Sequence, residues 1–145
     1  MKALATALFL AALIPFASAG IRLPSKIHEI ADLEKAKTEA QQKGRPIAIL
    51  LTDKDSTCPL CAAATEDIIK ELGNKTVMVY ARSSAGLPEA ATSALSAGQY
   101  IPKVAVLDAA MTASLGSVTY EAIKEDPRKA FREVKKAIAD YKAKK

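Results

Sequence analysis

Cys58 and Cys61 are the only cysteines in a chain of 145 residues, and they stand in the run TDKDSTCPLCAAATEDIIKEL, positions 52–72. Three kinds of chemistry use such a pair: a redox-active dithiol, half of a metal site, or a local structural disulfide. Cys-x-x-Cys at the head of a helix suits the first. Cys58 then sits where unpaired backbone N–H groups and the helix dipole favour negative charge, and the thiolate is the attacking species in exchange. Pro59 fits the first helical position, where its missing N–H is not needed. Cys61 lies a turn inside, protected, and can attack a mixed disulfide formed at Cys58. On this reading Cys58 is the nucleophile and Cys61 the resolving cysteine. Thr57 and Leu60 complete the motif, with Leu60 as a small apolar spot at an exposed helix head.

The other two chemistries fit less well. A structural zinc site wants four N or S ligands, and the chain has one histidine, His28, near its amino end. A copper site would need further soft ligands beside the cysteines. His28 reads as a surface residue, Met78 as core filler and Met111 as a turn residue. A disulfide closing so small a loop stabilises little by restricting the unfolded chain. No metal and no organic cofactor is expected.

Positioning the cysteines is the task of the flanking elements. Asp32 reads as the N-cap of a helix LEKAKTEAQQK, with Leu33, Ala36 and Ala40 on one face and Gly44 and Pro46 as the stop. IAILLT, positions 47–52, is an apolar run too short for a helix and reads as a strand buried on both faces. The loop DKDST leads to Cys58. The helix that follows carries Cys61, Thr65, Ile68 and Leu72 along one side and closes at Gly73 and Asn74. TVMVYA, 76–81, reads as a second buried strand, and Pro88 as the first turn of a short helix ending near Gly98. KVAVLD, 103–108, and SLGSVTY, 114–120, read as a third and a fourth strand able to form a hairpin. Pro127 opens a final helix with Phe131, Val134, Ile138 and Tyr141 as one apolar stripe. The order is α-β-α-β-α-β-β-α, with a right-handed crossover through the cysteine helix and an antiparallel edge.

A second chemical signal lies in YIPKVAVLD, where Ile101-Pro102 directly precedes the third strand, 44 positions after Cys58. Proline is tolerated at a strand start because no ladder donor is lost there. A cis bond here would bend the chain and present backbone groups to a visiting polypeptide; a trans bond would merely begin an edge strand. Tyr100 either borders that groove or packs in the core. Lys54 and Arg82 either lie near the thiolate or decorate a solvated loop.

Bulk properties bound the setting. Lys2, the apolar run ALATALFLAALIPF and the small residues Ala17 and Ala19 read as a secretory signal peptide over residues 1–19. The run is shorter than the roughly 20 apolar residues that suit a membrane span, and an uncleaved anchor is the alternative. Cleavage after Ala19 leaves residues 20–145, one domain able to bury a core. The formal charge of +5 falls to +4 without Lys2, and the excess gathers in DPRKAFREVKKAIADYKAKK, which suits a solvated helix C-terminus. With no Trp and no aromatic interleaving, nucleic-acid binding is not expected. Export places the chain in a periplasmic or extracellular setting where two cysteines can pair.

Taken together, the secretory start, the buried strand, Cys-x-x-Cys at a helix head and Ile-Pro before a later strand resemble the thioredoxin superfamily. More narrowly, the chain is similar to small exported thioredoxin-like proteins of the bacterial envelope. The resemblance spans about residues 27–142 in element order. It implies a three-layer α/β/α sandwich with a mixed four-stranded sheet, and a cis Pro102 lying against Cys58 and Cys61. Ile101 would offer its backbone to substrate. It further implies thiol–disulfide exchange with cysteine-containing protein substrates, by a monomer that needs a redox-recycling partner. Two departures stand out: Thr57-Cys58-Pro59-Leu60-Cys61 lacks the Trp and the Gly-Pro dipeptide of thioredoxin, and Thr52 occupies the position of its buried Asp. A redox-inert binding or adaptor module on the same fold is the alternative.

Overall fold

The computed structural model describes residues 20–145, so the signal-peptide segment 1–19 lies outside the described residues. At its centre lie three strands, β2 (Ile47–Leu51), β3 (Val77–Ala81) and β4 (Lys103–Leu107). β2 pairs parallel with β3 and antiparallel with β4. Outside β3 lies β1 (His28–Glu29), and outside β4 lies β5 (Ser114–Val118), for the order β1-β3-β2-β4-β5. The sheet therefore has five strands, against the four expected. β1 is two residues long and only pairing with Val79 and Tyr80 makes it a strand, so it has no periodicity of its own to read. It also removes His28 from the open surface: the imidazole is half-buried and lies 2.6 Å from Glu39.

β2 is buried on both faces because alternate residues enter different cores. Ile47, Ile49 and Leu51 join Val77, Val79 and Ala105 under α1 (Leu33–Lys43) and α3 (Glu89–Ala94). Ala48 and Leu50 join Met78, Val104 and Val106 on the other face. There they meet α2 (Pro59–Leu72), α4 (Tyr120–Glu125) and α5 (Pro127–Ala143) through Ile68, Leu72, Ile123, Phe131, Val134 and Ile138. These are three layers, helices on each side of a mixed sheet.

Several local expectations shift. Asp32 caps nothing with its side chain; its carboxylate instead takes a 2.7 Å bond from Lys35, after a 3-10 turn at Ile30–Asp32. α3 ends at Ala94, short of Gly98. The last strand stops at Val118 because Thr119 caps α4, its hydroxyl accepting from the Ala122 N–H at 3.2 Å. The β4–β5 hairpin closes on Asp108, whose carboxylate accepts from the N–H groups of Thr112 and Ala113 at 2.7 and 2.9 Å. Met111 sits in that turn at φ 59°, and Met78 is in the core. Among the described residues no helix is long and apolar enough to cross a membrane.

Candidate functional site

The carboxyl end of β2 and the amino end of β4 meet where the cysteines lie. The register pairs Leu51 with Lys103. Extended by one residue, it sets Pro102 opposite Thr52, the last residue before the loop to Cys58. Thr52 is 1% exposed and Thr65 fully buried, with their hydroxyls 3.4 Å apart. Thr65 spends its only proton on the Cys61 carbonyl at 2.8 Å, so Thr52 is the donor of the pair. The chain from β2 therefore ends on the backbone of Cys61, with no carboxylate among the groups that shift its thiol.

Cys58 is the N-cap of α2. Its Sγ accepts from the Cys61 backbone N–H at 3.2 Å, the bond a Ser or Asp oxygen makes at other helix starts. Pro59 follows at the first helical position, and the first turn of α2 holds no acidic residue to oppose a negative sulfur. The hydrogen bond from the Cys61 thiol, then the Cys61 backbone N–H, hold the Cys58 thiol below its ordinary pKa against the opposing effect of burial, with the Leu60 N–H adding less. Cys61 moves the other way: burial pushes its thiol up, and the hydrogen bond and charge of Cys58 add to it. Ser56 stands behind both, its hydroxyl 3.3 Å from the Cys58 N–H and near enough to the Cys61 sulfur to temper that rise. Both cysteines are free thiols and half-buried. The two sulfurs are thus chemically unequal, Cys58 shifted toward the thiolate and Cys61 toward the thiol.

Lys54 and Arg82 do not supply this bias. Lys54 pairs with Glu29 and lies 4.4 Å from the Tyr80 ring centroid, while Arg82 pairs with Asp55. Thr57 is exposed just ahead of the cap.

Two large side chains of the motif and of the segment before Pro102 are open to solvent. Leu60 is 61% and Tyr100 59% exposed. An open groove of about 240 Å³ runs between α2 and α4, lined by Leu60, Ala63, Ala64, Tyr120 and Ile123, with Asp67 and Lys124 at its edge. Burial, then the charges of Cys61 and Cys58, raise the Tyr120 hydroxyl above its ordinary pKa. Tyr100 meets Tyr120 edge to face, centroids 6.3 Å apart. The Ile101–Pro102 peptide is cis, Pro102 is buried and Ile101 is half-buried against the α1–α3 core.

Sequence reading missed Tyr120, Glu121 and Ser56. For the first two a signal existed: Thr119 followed by YEAIKE is a capped helix start, but the β-branched run before it carried the strand reading through Tyr120. Among the described residues no three His, Cys, Asp or Glu side chains gather as a metal site would require.

No protein-family model matches the chain, and no curated protein matches it in sequence. Among solved structures it is similar to a disulphide isomerase from Xylella fastidiosa Temecula1, at 13% identity and TM-score 0.50, over 86% of this chain and 95% of that one. A protein described as DsbH oxidoreductase aligns at 16% identity and TM-score 0.47, over 90% of this chain and 95% of that one. The fold is thioredoxin-like.

Proposed function

We propose that the chain is an exported thiol–disulfide oxidoreductase acting on cysteine-containing polypeptides. The observation that carries this is the Cys58 sulfur capping α2, 3.2 Å from the Cys61 N–H, with the two neighbouring thiols shifted in opposite directions, Cys58 down and Cys61 up. Export rests on Lys2, the apolar run and the Ala17/Ala19 spacing. That a fold neighbour is described as a disulphide isomerase agrees with this reading.

In the reducing direction the Cys58 thiolate attacks a substrate disulfide. A Cys58–substrate S–S bond forms, the substrate S–S bond breaks, and one substrate sulfur leaves and takes a proton from solvent. Cys61 then gives up its proton to water and attacks the Cys58 sulfur. The Cys58–Cys61 disulfide forms, the mixed disulfide breaks, and the second substrate thiol leaves. Two electrons pass from the dithiol to the substrate. Reversed, the same steps oxidise a substrate dithiol. A second dithiol or disulfide protein must restore the starting state. Leu60, Tyr100 and the Tyr120 groove offer an apolar surface suited to a polypeptide, and on this reading Ile101 and Pro102 meet the substrate backbone.

The test is the reduction potential of the Cys58–Cys61 pair in residues 20–145, by equilibration in thiol buffers and alkylation. Exchange-competent pairs lie above about −300 mV and structural ones below. Cys61→Ser should accumulate mixed disulfides, and Cys58→Ser should form none. A pair that stays oxidised in the most reducing buffer, with partners retained by Cys58→Ser, would turn the reading to an adaptor.

A further inference from the structure

We propose that Glu121 is a positioning residue of the exchange site, a carboxylate that clamps the loop leading into Ile101–Pro102 and so fixes the wall against which a substrate strand lies. The inference rests on the exchange reading above.

Residues 96–100 are exposed and belong to neither helix nor strand. Such a loop ordinarily samples many conformations, yet this one is tied from two sides. Glu121 Oε1 accepts from the Gln99 and Tyr100 backbone N–H groups at 2.7 and 3.2 Å. From below, Lys103 Nζ donates to the carbonyls of Ala97 and Gly98 at 3.3 and 3.0 Å. Glu121 holds the amides and Lys103 the carbonyls of the segment that ends at Tyr100.

The clamp is built closely. Gly98 has φ +77°, and a Cβ there would lie 2.8 Å from Glu121 Oε2 and 2.9 Å from Thr119 Cγ2. Only glycine lets the loop approach the carboxylate this far. Oε2 is itself buried beside Gly98 and the Thr119 side chain. Burial works to protonate Glu121, but the backbone N–H groups of Glu121 itself, Gln99 and Tyr100, then the Thr119 hydroxyl, outweigh it and keep the group below its ordinary pKa. Bonds to an ionised acceptor are roughly twice as strong as neutral ones.

The neighbouring residue explains what is being positioned. Tyr120 lines the groove with Leu60, which stands between the two cysteines in the chain, while its ring meets Tyr100. Consecutive residues of α4 thus hold the two sides of the site, Tyr120 the α2 side and Glu121 the Ile101–Pro102 side. Loss of the Glu121 bonds releases the loop without touching the sulfurs.

The experiment compares residues 20–145 with Glu121→Ala and Glu121→Gln by three readouts. These are exchange kinetics with a disulfide-linked peptide, alkylation of Cys58 by iodoacetamide, and amide hydrogen exchange at Gln99 and Tyr100. Glu121→Ala should lower peptide kcat/KM by about ten- to a hundredfold, since misplacement of a substrate by about 1 Å can cost that much. Alkylation should stay within about twofold, because the small reagent does not use the wall. Glu121→Gln keeps an acceptor at Oε1 and should recover most of the loss. In the unaltered chain both amides should be protected although their residues are exposed, and faster in Glu121→Gln. Peptide kinetics unchanged in Glu121→Ala, or peptide exchange and alkylation slowed alike, would overturn the proposal. If Glu121→Ala fails to fold, unprotected Gln99 and Tyr100 amides in the unaltered chain would overturn it. An unaltered chain with protected amides but no exchange activity would instead remove the reading on which the inference rests.

Discussion

The Cys58 sulfur stands 3.2 Å from the Cys61 backbone N–H, so the thiol that begins α2 is also its cap. Helix formation and thiolate stabilisation are the same contact: each N–H that the helix leaves unpaired is available to the sulfur. Cys61 is drawn the other way by burial and by the sulfur in front of it.

From this asymmetry a pH dependence follows. With Cys58 below the ordinary thiol value of 9.0, the alkylation rate of the reduced chain should rise with pH through a midpoint below that of a free cysteine, then level off. Cys61 should react only at higher pH. In linkage terms a lowered folded pKa contributes stability above the unfolded thiol pKa, lost as pH falls through the folded value. Iodoacetamide incorporation at Cys58, mapped by mass spectrometry on the reduced unaltered chain across pH, checks the first step; a midpoint at or above 9.0 contradicts it.

Thr52 takes the place beneath Cys61, and its hydroxyl reaches only Thr65. Thr52→Val should therefore cost no more than about 1 kcal/mol. Thr52→Asp buries an ionisable carboxyl, whose folded pKa rises above its unfolded value. Its folded state is then disfavoured increasingly as pH climbs from about 4 toward the raised pKa, by on the order of 3–4 kcal/mol at neutral pH. Urea unfolding of the three chains at pH 4.5 and 7 should show the gap widening with pH only for the aspartate.

Phe131 is 1% exposed between α5 and the α2 side of the sheet. Phe131→Ala should lower stability by about 3–5 kcal/mol, through lost burial and the cavity left behind. Denaturant melts read this directly, and a loss below about 1 kcal/mol would mean that the layer collapses to refill the space.

Leu60 is 61% exposed on the groove beside the sulfurs. Leu60→Ser should leave stability within about 0.5 kcal/mol. Exchange with peptides carrying an apolar residue next to cysteine should slow by about three- to tenfold, with polar-flanked peptides unaffected. Equal slowing of both peptide classes would deny the groove a part in selection.

The apolar strands and the amphipathic stripe of α5 are legible because their periodicities lie within the segments themselves: IAILL and VMVYA are apolar throughout, and Phe131, Val134 and Ile138 recur at helical spacing. Cys58, Pro59 and Cys61 are legible for the same reason, since the cap and the first and third helical positions lie within four residues of chain. What failed was non-local or short. β1 is a strand only because β3 lies beside it, and α4 is a six-residue helix behind a β-branched run.

The sequence by itself determined the two thiols, the helix start that makes them unequal, the two-faced strands and the position of proline. The tertiary structure alone decided which side chains meet them. Pairing β2 with β4 in antiparallel register carries Pro102 to Thr52. Packing α4 against α2 sets Tyr120 in the groove beside Leu60 and Glu121 on the Gln99–Tyr100 amides. Caps and periodicities are contacts between near neighbours along the chain, so residue types and spacing specify them. The walls of the site join residues 20 to 60 positions apart, and only the packed layers bring them within reach.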